Sequence, residues 1–198
     1  MQVAVLQGSV RSMRMGDRVM KWVTGRLEAR GHTVHVVDAA ALNLPLLDRM
    51  WKEIKQDPPE QRGELYEKLA PLASLYERAD GFLVVSAEYN HSVPPALTNL
   101  IDYFLEEYYY RPSAIVCYSV AAYGGMRAAM QLRALLPEVG MPSIPTIQAV
   151  PLVGSALGAD GTPLTQDLVE KTGKFFEEFD WYMAAFKAGL AMKDPRKK

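Results

Sequence analysis

A short loop near the start of the sequence combines the residue types that bind a phosphate group. Its sequence, GSVRSMRMG over residues 8–16, lies between a short apolar run and a helical pattern. Backbone N–H groups at the start of a helix, aided by the helix dipole, attract anions. The hydroxyl of Ser9 and the forked, charged guanidiniums of Arg11 and Arg14 add further donors. The loop therefore predicts a phosphate-binding site. The alternative interpretation is a capped helix start with two solvated arginines.

The common nucleotide-binding fingerprints are absent from this loop. The pattern GxxxxGK[ST] requires a Lys followed by Ser or Thr after its second glycine, and no such pair follows Gly16. The pattern GxGxxG requires a second glycine where Val10 stands. ATP hydrolysis and a dinucleotide-binding Rossmann site are therefore disfavoured. A short loop with two arginines suits a terminal phosphomonoester.

A second loop, over residues 86–95, carries polar and aromatic side chains where an apolar run ends. Glu88, Tyr89 and Asn90 can hydrogen-bond the edge of a planar heterocycle, and the ring of Tyr89 can pack on its face. Considered alone, an Asx-type turn that caps the next helix is the simpler interpretation. The nucleophile elbow GxSxG is absent, so a serine hydrolase is disfavoured.

A third loop, over residues 119–127, contains the pair Gly124-Gly125. Glycines permit a close approach of the backbone to a flat ligand, and Tyr123 can stack on that ligand or wall it in. The alternative is a flexible turn between a strand and a helix. Arg127 and Arg133 follow this loop. One interpretation of these two arginines is that they contact a 2′-phosphate. The simpler interpretation is that they are charges on the surface of a helix.

Strands and helices alternate along the chain in a way that would bring these three loops together. Continuous apolar runs predict buried strands, and apolar residues at helical spacing predict helices between them. The pattern indicates a single α/β domain with a parallel sheet that helices cover on both faces. One order open to such a sheet is the flavodoxin-like order 2-1-3-4-5. In that order strands 1, 3 and 4 are neighbours, so the loops after them meet in one crevice. The predicted strands are residues 2–7, 32–38, 82–86, 113–119 and 146–150.

Three other segments complete the predicted domain, which spans residues 1–198. A helix is expected over 64–78, with a kink or break at Pro71. The long connection over 39–63 is expected to shape an acceptor pocket or a subunit contact, because loops of this length are usually functional. An apolar stripe predicts a helix from about 165 to 190, followed by a short basic tail that frays into solvent.

Composition narrows the classes of function. The net charge of -1 gives no support for wholesale nucleic-acid binding. No apolar run approaches the ~20 residues of a membrane helix, so we expect a cytoplasmic protein without a membrane partner. The single cysteine, Cys117, lies in an apolar run and is expected to be a buried core thiol. His32 and His35 lack a third ligand in the sequence, so no metal site is expected.

Taken together, the three loops resemble the NADPH-dependent FMN reductase family, which includes chromate, azo and quinone reductases. Many members have Pro where Ala87 stands and Lys where Thr98 stands, so the second loop is expected to be less rigid here. The motifs occur in the family's order over roughly the first three-quarters of the chain. They are Gly8-Ser9-x-Arg11, Glu88-Tyr89-Asn90-His91-Ser92-Val93-Pro94, Leu97-x-Asn99, Tyr123-Gly124-Gly125-Met126-Arg127-Ala128 and Gln131-Leu132-Arg133.

The resemblance implies a flavodoxin-like fold, a three-layer sandwich whose five-stranded parallel sheet has the order 2-1-3-4-5. It also implies an NAD(P)H-dependent FMN oxidoreductase. Such an enzyme passes hydride from nicotinamide to bound FMN and on to a quinone, an azo compound, free flavin or a metal oxyanion. It needs no catalytic side chain or metal, and it is usually a homodimer or homotetramer. By position, the first loop would bind the FMN phosphate, the second would line the isoalloxazine, and the third would close the other side. The implied cofactor-binding residues are Ser9, Val10, Arg11, Arg14, Met15, Gly16, Glu88, Tyr89, Asn90, His91, Ser119, Tyr123, Gly124 and Gly125.

The sequence is also compatible with two other functions. The first is a flavodoxin-like electron carrier that docks to protein partners. Such carriers usually have a strongly acidic docking face, and the net charge of -1 gives that interpretation no support. The second is a flavin- or nucleotide-binding regulatory module without a redox role.

Overall fold

Five parallel strands form one sheet in the computed structural model, which describes residues 1–170 and 172–196. The strands are β1 (Gln2–Gln7), β2 (Thr33–Asp38), β3 (Gly81–Ala87), β4 (Ser113–Tyr118) and β5 (Ser143–Val150). Their order, β2-β1-β3-β4-β5, confirms the predicted flavodoxin-like topology. Gln7 at the end of β1 lies opposite Asp38 of β2 and Val85 of β3, and Ala87 lies opposite Tyr118 of β4. The loops after β1, β3 and β4 therefore start side by side.

Helices cover both faces of the sheet, which the continuous apolar strands require. The 3₁₀ turns Pro59–Gln61 and Glu106–Tyr108 lie between them. The helices are α1 (Gly16–Glu28), α2 (Ala39–Leu42), α3 (Trp51–Ile54), α4 (Glu64–Arg78), α5 (Pro95–Asp102), α6 (Met126–Glu138), α7 (Val153–Ala156), α8 (Gln166–Glu170) and α9 (Gly173–Met192).

Two hydrophobic cores lie on opposite faces of the sheet because successive side chains of a strand point to opposite faces. On one face, Phe82 of β3 belongs to a cluster with apolar residues of α4, α5 and α6, such as Leu97. On the other face, the next residue of β3, Leu83, belongs to a cluster with α1 and α9, such as Phe179. This alternation holds the parallel strands rigidly, so the positions where the three loops leave the sheet are fixed.

Three predicted elements differ from the structure by more than one residue at an end, or in their continuity. β5 begins at Ser143 rather than at 146, because a proline such as Pro145 is tolerated in an edge strand. Helix α4 runs without a break through Pro71, held by buried residues on both sides of the proline. In place of one helix over about 165–190, the structure has α8 and α9. Lys171 of that predicted helix, and residues 197–198 of the predicted basic tail, lie outside the described residues.

The connection over residues 39–63 contains the short helices α2 and α3 and is anchored to the rest of the domain. Trp51 is buried, with its ring centroid 5.3 Å from that of Tyr66 and 6.5 Å from that of Phe104. The side-chain amide of Asn99 in α5 donates to the Pro45 carbonyl at 2.8 Å and accepts from the backbone N–H of residue 47 at 2.8 Å. The segment is thus part of the packed domain, and its role toward an acceptor stays a prediction.

The two histidines of the β2 region have separate partners. His32 Nε2 lies 2.7 Å from a carboxylate oxygen of Asp180, and His35 Nε2 lies 3.2 Å from the side-chain oxygen of Gln2. No group of three or more His, Cys, Asp or Glu that could hold a metal occurs among the described residues. Within the same part of the chain, none of the helices combines the length and apolar character needed to cross a bilayer.

Candidate functional site

The loop from Gly8 to Gly16 presents a row of unpaired backbone donors at the carboxyl edge of the sheet. The N–H groups of residues 9–13 donate to no acceptor within the described part of the chain. Two bonds fix the loop's ends: the Gly8 N–H donates to the Val85 carbonyl at 3.1 Å, and the Arg14 N–H donates to the Arg11 carbonyl at 3.2 Å. Successive free N–H groups just before a helix start are an anion-binding arrangement.

Arg14 holds this loop from one side. Its guanidinium donates to both carboxylate oxygens of Asp38 at 2.7 and 2.6 Å, to Asp17 Oδ1 at 2.8 Å, and to the Ser9 carbonyl at 2.7 Å. These bonds leave one of the five guanidinium N–H groups for another partner. The Arg14 side chain is 14% exposed and that of Asp38 is 20% exposed. Arg14 therefore ties the loop to the end of β2, although the sequence predicted it as a phosphate contact.

The pKa values of this ion pair follow from its geometry. The hydrogen bonds that Arg14 donates to Asp38 raise the pKa of Arg14, against the effect of partial burial. Burial by itself would raise the pKa of Asp38, but the hydrogen bonds from Arg14 and from the Ala40 N–H outweigh it and hold that pKa below its usual value. The pair is thus fully charged at neutral pH.

Arg11 differs from Arg14 because its guanidinium is exposed and makes no hydrogen bond or ion pair with any described residue. Beside it, the buried Ser9 hydroxyl lies 2.7 Å from the hydroxyl of Tyr89 in the second loop. Val10 is 45% exposed and lines a neighbouring cavity of about 310 Å³ between α2 and α5. The first loop thus offers one free cation, Arg11, next to the unpaired N–H groups.

The second loop makes a tight turn from Tyr89 to Ser92. Backbone bonds of 2.9 Å run in both directions between these two residues. The two central residues, Asn90 and His91, have φ angles of 49° and 64°. Positive φ at both central positions defines a type I′ turn, in which Asn is favoured and His is uncommon. Such strained conformations concentrate at ligand sites, and here both side chains are exposed at the mouth of a cavity.

Side chains of α6 and of the second loop brace each other. The Gln131 side-chain amide donates to the His91 carbonyl at 3.1 Å and accepts from the Val93 N–H at 3.3 Å. In return, Glu88 accepts from the Arg127 backbone N–H at 3.0 Å, which satisfies a free donor at the start of α6. The second and third loops therefore form one connected unit.

The third loop turns sharply through two glycines into α6. Gly124 and Gly125 have φ angles of 61° and 83°. Ser119 Oγ donates to the Ala121 carbonyl at 2.8 Å, which fixes the start of the loop. The side chain of Tyr123 remains 66% exposed. The loop leaves an aromatic ring at the rim and keeps its backbone close to the end of β4.

Replacing Gly125 with Ala is expected to destabilise the protein by about 2 kcal/mol, because a left-handed L-residue costs about 1–2 kcal/mol and the new Cβ adds a steric clash. That Cβ would lie 2.8 Å from the Tyr118 nitrogen and 2.9 Å from its carbonyl oxygen. Urea unfolding measures the change. Gly154→Ala is the matched control, because its Cβ would meet nothing closer than 3.9 Å. Equal stability of the two variants would contradict this prediction.

The three loops converge on one open cavity of about 670 Å³. This volume lies within the roughly 300–1,000 Å³ of small-ligand sites. The convergence that the strand order predicted is therefore confirmed. The residues that line the cavity are Ser9, Arg11, Met13, Arg14, Met15, Ala87, Glu88, Tyr89, Asn90, His91, Tyr118, Ser119, Val120, Ala121, Tyr123 and Arg127.

Most of the implied cofactor-binding residues line this cavity, and a few lie behind it. Val10 faces the neighbouring cavity, and a Cβ on Gly16 would lie 2.5 Å from the buried Tyr118 hydroxyl. Gly124 and Gly125 lie against β4 and β5 rather than in the cavity lining. Arg127 was already a candidate phosphate contact, whereas the sequence missed Met13, Ala87, Tyr118, Val120 and Ala121. Their position beside the motifs, at or just after strand ends, was the available signal.

The cavity is built for binding rather than for covalent chemistry. Cys117 is fully buried next to it, and burial raises the pKa of its thiol to about 12, so it is not a thiolate nucleophile. The Ser86 hydroxyl is also buried and donates to the Ala87 carbonyl at 2.8 Å. Burial raises the pKa of Tyr118 to about 12, so its phenol stays protonated beside the first loop. The site offers unpaired backbone N–H groups, aromatic side chains and hydrogen-bonding groups.

Comparisons with known proteins agree with this geometry. Residues 1–152 match the family model for NADPH-dependent FMN reductase. The chain is 31% identical over 136 residues to an NAD(P)H-dependent FMN reductase of Nectria sp, a match that covers 66% of this chain and 65%, just under two thirds, of that protein. It is 28% identical over 183 residues to a quinone reductase of Pseudomonas putida, covering 89% of each. The solved structure of the flavoenzyme NAD(P)H:(acceptor) oxidoreductase from Paracoccus denitrificans superposes with a TM-score of 0.72 at 25% identity, covering 94% of this chain and 97% of that one.

Proposed function

This chain belongs to the NADPH-dependent FMN reductase family, and on that premise we propose that it is an NAD(P)H-dependent FMN oxidoreductase with a small-molecule acceptor. One observation carries the proposal. The first loop, which carries the unpaired N–H groups of residues 9–13 and the free guanidinium of Arg11, lines the cavity together with the two polar loops. This arrangement fits a ligand with a phosphate at one end and a flat heterocycle at the other.

Within this proposal the first loop holds the phosphate of FMN. The N–H groups of residues 9–13 donate to phosphate oxygens, and Arg11 adds charge-assisted hydrogen bonds. Ser9 supplies a hydroxyl that already lies within reach of Tyr89. Arg14 acts mainly by holding the Ser9 carbonyl and thereby the shape of the loop. The protein's share of the binding energy at this end is thus electrostatic and preorganised.

The second and third loops would frame the isoalloxazine ring. The I′ turn at Asn90 and His91 presents its side chains at the cavity, and the bonds from Gln131 hold that turn in place. On the other side, Ser119 and Tyr123 line the cavity. Bound FMN supplies the redox chemistry, taking two electrons as hydride from NAD(P)H and releasing them to an acceptor. The chain's own task is to position the ring, leave one face open and stabilise charge at its edge.

The proposed acceptor is a quinone, with azo compounds, free flavin and metal oxyanions as the other candidates to be tested. The Pseudomonas putida relative named a quinone reductase supports the first choice. The cavity is open to solvent through the exposed residues Val120 and Tyr123, so a flat acceptor can enter where the nicotinamide leaves.

We include a homodimer or homotetramer in the proposal. Val120, Met126 and Met130 are 71%, 37% and 52% exposed. The two methionines are one turn apart on α6 and so share a face beside the cavity. A second copy of the chain would remove this apolar surface from water. Sedimentation velocity of the purified protein distinguishes a monomer from either oligomer.

Steady-state NADPH oxidation tests the function. The purified protein, loaded with FMN, is expected to oxidise NADPH in the presence of a soluble quinone, with many turnovers per bound flavin. The matched control is the apoprotein without added FMN, which should be inactive. A protein that binds FMN but shows no turnover with NADPH or NADH and any of the four acceptors would instead be an electron carrier. A protein without tight FMN binding would be a regulatory module.

A further inference from the structure

Arg127 places a second cation at the cavity, next to the loop after β4, which β3 separates from the first loop. Its guanidinium carbon lies 4.6 Å from the centre of the Tyr123 ring, and its Nη1 lies 3.3 Å from a carboxylate oxygen of Glu88. The Glu88 side chain is 9% exposed, whereas that of Arg127 is 42% exposed. Stacking on an aromatic face and a single ion pair orient the guanidinium while leaving most of its N–H groups free.

The two arginines of α6 have different surroundings. Arg133 Nη1 donates to the Ile144 carbonyl at 2.7 Å and to Ser143 Oγ at 3.1 Å, and its Nη2 bonds the Pro145 carbonyl. Arg133 therefore ties α6 to β5 and has a structural role. The sequence left a 2′-phosphate contact open to both arginines and favoured helix-surface charges. In the structure Arg127 lines the cavity, and Arg133 does not.

We propose that Arg127 binds a phosphate group of the nicotinamide dinucleotide, an inference that rests on the proposed function. FMN has one phosphate, and the first loop already provides its donors. NADPH carries a pyrophosphate and a 2′-phosphate, and the nicotinamide must reach the open face of the ring. A guanidinium beside that face is a suitable partner for either anion, because it offers forked, charge-assisted hydrogen bonds.

The environment of Arg127 favours this role over a purely structural one. Tyr123 restricts the side chain before the substrate arrives, which lowers the entropy cost of binding. The contact between the guanidinium and Glu88 at 3.3 Å is long, and the shorter bond is the one that the Arg127 backbone N–H donates to Glu88 Oε2 at 3.0 Å. The brace between the second loop and α6 therefore does not depend on the guanidinium. Removing the side chain should leave the flavin site intact.

Arg127→Gln tests the inference by separating dinucleotide binding from flavin binding. We expect the Kd of NADP⁺, measured by calorimetry on the FMN-loaded protein, to rise roughly tenfold or more. KM for NADPH should rise in parallel, while FMN affinity and kcat stay close to those of the wild type. Arg127→Lys keeps a charge but loses the fork, so it should bind with intermediate affinity. Arg78→Gln is the matched control, an exposed arginine at the opposite edge of the sheet.

Three co-substrates identify the phosphate. If the 2′-phosphate is the partner, Arg127→Gln raises KM for NADPH alone. If the pyrophosphate is the partner, KM rises for NADPH and NADH, and changes less for reduced nicotinamide mononucleotide. Unchanged NADP⁺ binding, or loss of FMN together with NADP⁺, would overturn the assignment. Failure of the proposed function is distinguished by the wild-type protein. In that case NADPH does not reduce its bound flavin.

Discussion

Replacing Arg11 with Ala is expected to weaken FMN binding by about 10- to 100-fold, which corresponds to the 1.5–3 kcal/mol of a hydrogen bond to a charged group. Arg11 is the exposed, uncommitted cation beside the unpaired N–H groups of residues 9–13. Its loss removes the partner of a dianionic phosphate, whereas the contacts to the ring are unchanged. Fluorescence titration of the apoprotein with FMN measures the effect.

Riboflavin provides an internal control for this prediction, because it has the same ring and no phosphate. Arg11→Ala should bind riboflavin as the wild type does, and Arg78→Ala should bind both flavins normally. Equal FMN affinity of Arg11→Ala and wild type would refute the assignment of the phosphate to the first loop. A parallel loss of FMN and riboflavin would show that Arg11 acts on the ring site instead.

Replacing Arg14 with Ala is expected to lower the free energy of unfolding by about 3 kcal/mol, the lower end of the cost of breaking a buried ion pair. The lower end applies because Arg14 and Asp38 are 14% and 20% exposed. The variant leaves Asp38 and Asp17 without this cation and releases the Ser9 carbonyl. FMN affinity should fall as well, because the loop loses its fixed shape. Urea unfolding of the apoprotein measures the stability.

Asp38→Asn separates the two roles of Arg14. It removes the ion pair but leaves the arginine present, so the loop should loosen and FMN should bind more weakly. If Arg14 were mainly a phosphate ligand held back by Asp38, this variant would instead bind FMN more tightly. Likewise, an Arg14→Ala protein with wild-type stability but poor FMN affinity would contradict the supporting role.

The same pair predicts a pH dependence. The pKa of Asp38 is lower in the folded protein than in the unfolded chain, so the unfolded state binds more protons as the pH falls through this window. The stabilisation is complete above the unfolded pKa of about 4 and is lost as the pH falls through the folded value. Asp38→Asn should therefore reduce the acid sensitivity of unfolding. An identical pH profile for the variant and wild type would contradict the role of this pair.

The sequence predicted the sheet well because strand burial is a local pattern. Runs such as residues 82–86 are apolar without alternation, which is typical of a parallel strand covered on both faces. The order of the strands then fixed which loops meet, and the cavity contains residues from all three of them. The break considered at Pro71 is absent because tertiary packing, rather than local propensity, keeps α4 continuous.

Sequence patterns did not predict the hydrogen-bond and ion-pair partners of the site residues, because those partners are distant in the chain. Arg14 pairs with Asp38, 24 residues away, and the choice between an ion pair and a phosphate contact depends on where β2 ends. The brace from Gln131 to the turn at Asn90 and His91 spans about 40 residues. Arg127 resembled any surface arginine until its stacking on Tyr123 placed it at the cavity. The residue types predicted which groups could bind a phosphate or a ring. The tertiary structure determined which of these groups are not already bonded to other residues.

The visible absorption spectrum of the FMN-loaded protein under anaerobic conditions tests the central claim most directly. We expect the protein to be yellow, NADPH to bleach the flavin band, and a quinone added afterwards to restore the band without oxygen. The flavin that is released by denaturing the protein and collected by filtration is the control for free FMN. A protein that takes up no FMN, or whose bound flavin keeps its band with excess NADPH and NADH, would contradict the account.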